Sequence, residues 1–183
     1  MTRKRKILAG VVVAILTLGG GWAASTSTLG PPVAAGATVG SLRAFDGDGV
    51  LHELDATRGS PVVVFFYPRD ETPGCTTEAC AFRDRWTEFT KRGVKLFGVS
   101  GGTRAGKAAF AEKQSLPFPL LTDEDLSWAR AFGVRVVFGV PERISFLLDR
   151  EGRVVRVYPD VDPAVHAERV LADVDTLLDG AQR

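Results

Sequence analysis

The run Val62-Val63-Val64-Phe65-Phe66-Tyr67, held between Pro61 and Pro68, constrains the fold of this chain more than any other feature. Six β-branched and aromatic residues without polar alternation leave neither face of a strand suited to water. Such a strand belongs inside a sheet covered on both sides, and the flanking prolines mark its ends. The rest of the chain must therefore supply two covering layers.

The remaining pattern supplies them. Leu42–Phe45 and Val50–Leu54 flank Asp46-Gly47-Asp48-Gly49, a turn-forming tetrad that predicts a β-hairpin. After the buried run, Ala79, Phe82, Trp86 and Phe89 recur at helical spacing, which predicts one helix from Cys75 to Arg92, closed by Gly93. Val94–Val99 reads as a strand, followed by a helix carrying Ala108, Phe110 and Ala111, then the segment Leu116 to Leu121 and a short helix around Leu126–Phe132. Ile144–Leu148 and Val154–Val157 form a second hairpin about Asp149-Arg150-Glu151-Gly152, and Val165–Leu178 is a terminal amphipathic helix. Strands that first alternate with helices and then pair as a hairpin predict an α/β fold. It is a three-layer α/β/α sandwich with a mixed central sheet and an N-terminal β-hairpin. With 45% hydrophobic and 25% charged residues, a core of useful size is available to one domain without disulfide staples or a structural metal.

The ends divide the chain. Arg3, Lys4, Arg5 and Lys6 precede the apolar stretch Ile7 to Leu18, and glycines and small residues follow as far as Ser25. That order describes a secretory signal peptide. Extended to Ala24 the segment reaches 18 residues, close to the roughly 20 that a spanning helix wants, so an uncleaved N-terminal membrane anchor is the alternative for residues 1–24. Both readings place the body outside the cytoplasm, exported and periplasmic or otherwise extracytoplasmic. Residues 25–37, rich in Ser, Thr, Gly, Pro and Ala, read as a flexible linker, with the folded domain at 38–183. Removing the four leading cations leaves 19 basic against 22 acidic residues, a net charge of −3, which gives no basis for nucleic-acid binding.

Chemistry concentrates directly after the buried strand, in Tyr67-Pro68-Arg69-Asp70-Glu71-Thr72-Pro73-Gly74-Cys75-Thr76-Thr77-Glu78-Ala79-Cys80. Thr72 suits a helix cap, Pro73 an early helical position and acidic Glu78 the first turn, so Cys75 falls at a helix N-terminus. Backbone N–H groups and the positive dipole end favour the reactive thiolate there. Five residues along a regular helix separate the Cα atoms of Cys75 and Cys80 by about 8–9 Å. A disulfide needs about 7 Å or less. If this pair does bridge, the first turns of the helix unwind. A structural disulfide is the ordinary alternative for two cysteines in an exported chain. A zinc site has only His52 and His166 to complete it, and both read as surface histidines on a strand and at a helix start, which also weakens a Cys–His hydrolase.

The chain resembles the peroxiredoxins. Pro68, Thr72 and Cys75 match the family's Pro-x-x-x-Thr-x-x-Cys signature. The string FFYPRDETPGCTTEACAFRDRW is similar to the Q-type branch, the bacterioferritin comigratory proteins, in which a resolving cysteine lies five positions downstream, where Cys80 stands. Gly98-Val99-Ser100, LPFPLLTDED and Glu142 to Asp149 extend the likeness over roughly residues 39–157. The resemblance implies a thioredoxin-like fold and a peroxidase for hydrogen peroxide or organic hydroperoxides. In it Cys75 is the peroxidatic cysteine, Thr72 orients the peroxide, Pro68 shields the thiolate, and Arg143 polarises the peroxide. Cys80 then closes an intramolecular disulfide that a thioredoxin- or glutaredoxin-like reductant reopens. It implies no cofactor and no metal, and commonly a monomer. Two departures stand out: the stretch Ser100 to Lys107 lacks the Asp and His common to the branch, and Gly133–Val140 is short and apolar. The competing function is an exported thioredoxin-like protein disulfide oxidoreductase, although its Cys-x-x-Cys marker is missing.

Overall fold

The computed structural model describes residues 31–180. The leader (1–24) and the first part of the linker lie outside the described residues. Along the rest run β1 (Arg43–Phe45), β2 (Leu51–Glu53), a 3-10 turn (Asp55–Thr57), β3 (Val62–Phe66), α1 (Pro73–Asp84), α2 (Trp86–Lys91), β4 (Lys95–Ser100) and α3 (Arg104–Gln114). They continue with β5 (Leu120–Thr122), α4 (Ser127–Phe132), β6 (Val136–Val137), β7 (Val140–Pro141), β8 (Ile144–Leu148), β9 (Val154–Tyr158) and α5 (His166–Gly180). Among the described residues no helix is long and apolar enough to cross a membrane.

β3 is the central strand of a five-stranded mixed sheet in the order β5-β4-β3-β8-β9. It pairs in parallel with β4 and antiparallel with β8, and all five of its residues are buried. Its side chains alternate between two cores. Val62, Val64 and Phe66 pack with Trp128 and Phe132 of α4 and with Val39 and Leu54 near the N-terminal hairpin. Val63, Phe65 and Tyr67 pack with residues of α1, α2, α3 and α5, among them Phe82, Phe89, Phe110 and Val170. The unalternating run therefore has the two-sided cover that its composition demands.

Several local expectations are corrected. The helix expected from Cys75 to Arg92 breaks at Arg85 (φ −105°, ψ 11°), and the turn sets Phe89 against Phe82 and Trp86 against Phe118. Part of the stretch read as a linker is docked: Val33 N–H donates to Phe132 O at 3.0 Å, and Gly36 N–H donates to Val154 O at 2.7 Å. The short stretch Gly133–Val140 contains a β6–β7 hairpin whose turn residues, Phe138 (φ 50°) and Gly139 (φ 75°), are both left-handed. That φ pair fits a tight hairpin turn, but Phe is a residue that rarely signals one.

One end of the sheet gathers the strand termini that matter. Phe66 pairs with Val99 of β4 and with Ile144 of β8. The C-terminal ends of β3 and β4 thus meet the N-terminal end of β8. Whatever follows Phe66, follows Val99 or precedes Ile144 is delivered to the same place, where a sheet of this kind commonly places its ligands.

Candidate active site

At that sheet end, Cys75 is the third residue of α1 and its side chain is only 1% exposed. Thr72 occupies the N-cap position, as expected, but makes no side-chain capping bond. Its Oγ1 instead donates to Arg69 O at 3.2 Å, closing the turn that precedes the helix. Within that turn Glu71 is left-handed (φ 59°), a strained backbone for a residue with a Cβ. Pro68 opens the same loop and is half-buried.

Arg143 immediately precedes β8, so the antiparallel register with β3 carries it to the loop that holds Cys75. Its Nη2 donates to Cys75 Sγ at 3.1 Å. A Cβ placed on Gly74 would lie 3.4 Å from that nitrogen, so the glycine gives the guanidinium room beside the helix start. The fixed fork also reaches Glu78, to which Arg143 Nη1 donates. The guanidinium thus bridges the sulfur and a buried carboxyl.

Glu78 was expected as a first-turn acid complementing the helix dipole. It lies in the second turn instead and is fully buried, and its Oε1 has no hydrogen-bond partner among the described residues. Burial pushes its carboxyl up to about 7, against the pull of Arg143. His166 was expected at the surface; it is 2% exposed, with Nε2 2.9 Å from Ser145 Oγ and 3.9 Å from Glu78 Oε1. Burial, reinforced by Arg169 and Arg143, lowers its pKa to about 4, so the imidazole is neutral at neutral pH and the contact with Glu78 is not an ion pair. Sequence spacing carried a signal for each. Glu78 is three residues beyond Cys75, one turn along the same face, and His166 shares the spacing of Val170 and Val174 on the apolar stripe of α5.

Cys80 also sits on α1 and is free, like Cys75. Its thiol faces Gln114 Oε1 at 3.6 Å on α3. The helix is intact between the two cysteines, so the separation of about 8–9 Å expected for five helical residues applies. His52 is also away from the cysteines, with Nε2 2.7 Å from Asp46 Oδ2. Among the described residues, no three or more His, Cys, Asp or Glu side chains gather as a metal would require. A groove of about 880 Å³ runs beside Phe45, Leu51, Arg104 and Asp125, on the hairpin side, and Cys75 is not among its walls.

Comparison with known proteins agrees with the geometry. Residues 35–157 match the profile of the AhpC/TSA family. A chloroplastic peroxiredoxin Q of Triticum aestivum is 39% identical over 158 residues, covering 85% of this chain and 73% of its own length. Its counterpart from Populus jackii is 42% identical over 135 residues, and the match spans 72% of this chain and 63% of that relative. Among solved structures, the peroxidoxin BcpB of Mycobacterium tuberculosis superposes with a TM-score of 0.72 at 35% identity, covering 78% of this chain and 96% of that one. The bacterioferritin comigratory protein of Xanthomonas campestris, described for its alkyl peroxide reduction activity, superposes with a TM-score of 0.69 at 38% identity, covering 74% and 90%. The mixed sheet with its helices is thus the thioredoxin-like fold that the resemblance implied.

Proposed function

The chain belongs to the AhpC/TSA family and is a thiol peroxidase of the peroxiredoxin kind, and on that premise we propose that Cys75 reduces hydrogen peroxide and organic hydroperoxides and Cys80 resolves the product. The observation that carries this reading is the 3.1 Å contact from Arg143 Nη2 to the buried Cys75 Sγ at the start of α1.

The Cys75 thiolate attacks the distal peroxide oxygen. An S–O bond forms, the O–O bond breaks, and the departing alkoxide or hydroxide takes up a proton. Charge grows on that oxygen, and the Arg143 guanidinium is the cation placed to stabilise it. Thr72 Oγ1 spends its proton on Arg69 O, so its lone pairs are free to accept from the peroxide O–H. In this reading Pro68 shields the thiolate from solvent.

The resulting Cys75 sulfenic acid condenses with the Cys80 thiol: the S–OH bond breaks, the S–S bond forms, and the hydroxyl leaves with the thiol proton as water. Because the intact helix holds the pair too far apart, α1 unwinds at its start for this step. Two electrons from an external dithiol protein of thioredoxin or glutaredoxin type return both cysteines to thiols by exchange. The basic and apolar leader at 1–24 supports an extracytoplasmic location for this cycle, with the leader cleaved or retained as an anchor, and the reductant must work there too. Both thiols come from one helix, so a single chain completes the disulfide in this scheme.

Purified full-length protein with a dithiol reductant is expected to consume peroxide, and Cys75→Ser to lose turnover by at least 1000-fold, in the range for removal of a nucleophile. Turnover retained in Cys75→Ser removes Cys75 from the mechanism.

A further inference from the structure

The most heavily bonded buried cation near the site is not Arg143. Lys107 on α3 is 0% exposed, and its Nζ donates to oxygens from two other segments. Asp70 Oδ1 and Oδ2 accept at 2.9 and 2.8 Å, Ser100 Oγ at 2.5 Å and Gly101 O at 2.8 Å. The proton directions are consistent throughout. Ser100 O–H donates to Gly101 O at 3.2 Å, Tyr67 O–H donates to Asp70 Oδ1 at 2.7 Å, and the ammonium lies 5.1 Å from the centre of the Tyr67 ring. Burial lowers the Lys107 pKa while Asp70 holds the ammonium charged.

These contacts join the C-terminal ends of β3 and β4 to α3, and Asp70 accepts from both Tyr67 and Lys107. Asp70 stands between Pro68 and Thr72, next to the left-handed Glu71. A turn containing a strained non-glycine residue persists only where its surroundings hold it. Here the holding group is Lys107 inside, with Lys113 of the same helix reaching Glu71 Oε2 at 3.0 Å outside. A buried ion pair is weak grounds for stability but a means of fixing one conformation, because its directional bonds tolerate few alternatives.

We propose that Lys107 is a positioning residue: through Asp70 it locks the Pro68–Thr72 turn, and so sets the Thr72 hydroxyl over Cys75 for peroxide. Lys107 touches no reacting atom. It acts on the step that uses the turn and not on the intrinsic reactivity of the sulfur, whose cation is Arg143. This rests on the peroxidase reading above, so the unaltered chain is the reference in every arm.

The test compares two reactions of Cys75 in the full chain, each measured at its pH-independent maximum. Reaction with hydrogen peroxide needs the turn, whereas alkylation by iodoacetamide needs only an accessible thiolate. In Lys107→Met the peroxide rate constant is expected to fall at least 30-fold while the alkylation rate changes less than threefold. In the double variant Lys107→Met with Asp70→Asn, which leaves no unpaired buried charge, the melting temperature recovers towards that of the parent and the peroxide rate stays low. A merely structural role would restore both together, and that outcome overturns the proposal. So does a Lys107→Met variant whose peroxide rate holds within threefold, or whose two rates fall in parallel. A parent chain inert to peroxide instead defeats the peroxidase reading itself.

Discussion

Behind the Arg143–Cys75 contact, two buried side chains are shifted in opposite directions. Glu78 rises from 4.5 to about 7, so it binds its proton more tightly in the folded chain. Its contribution to stability is complete below pH 4.5 and is lost as pH rises to about 7. His166 falls from 6.5 to about 4, so its contribution is complete above 6.5 and is lost as pH falls to about 4. Each amounts to about 3 kcal/mol at most, and across the shared window they nearly cancel. Urea unfolding at a series of pH values separates them. Relative to the parent, Glu78→Gln should gain stability as pH rises from 4.5 to 7, and His166→Gln should gain as pH falls from 6.5 to 4. Only the slope of each difference is diagnostic, since Glu78→Gln also takes the anionic partner from Arg143. Flat differences in both variants contradict the assigned shifts.

At the scale of elements, α1 bears conflicting demands. Its intact first turns place Cys75 beneath Arg143, yet the same turns hold Cys80 out of bonding range. Hydrogen exchange after one equivalent of peroxide should show amides 75–80 at least tenfold faster than in the reduced chain, with Cys80→Ser remaining protected. A Cys75–Cys80 disulfide formed with unchanged protection would contradict the unwinding step. Local pattern revealed these elements unevenly. The helix start was legible because Thr72, Pro73 and the apolar spacing agree with one another. The break at Arg85 was not, because the apolar spacing runs on through it and the turn answers to contacts with Phe118, 33 residues on. The β6–β7 turn was hidden for another reason: a Phe occupies a position that glycine or asparagine normally announces.

For the whole molecule, function follows from one register. Pairing Phe66 with Val99 and Ile144 brings three distant segments to a single sheet end. The Val62–Tyr67 run was readable as a doubly covered strand because burial on two faces leaves a compositional mark. The partners brought to its end leave none: Lys107 lies 37 residues from Asp70 and Arg143 lies 68 from Cys75. Arg143 was found through family resemblance, while Lys107 passed unnoticed in a stretch marked only for the Asp and His it lacks. Its spacing with Phe110 on the buried side of α3 was the available sign of an interior lysine. The central claim is that this sheet end makes Cys75 the atom that takes oxygen from peroxide. Mass spectrometry of the full chain after one equivalent of peroxide tests it most directly. The predicted result is one added oxygen on Cys75 in Cys80→Ser and a Cys75–Cys80 disulfide in the parent, whereas oxygen on Cys80 with Cys75 unmodified would contradict it.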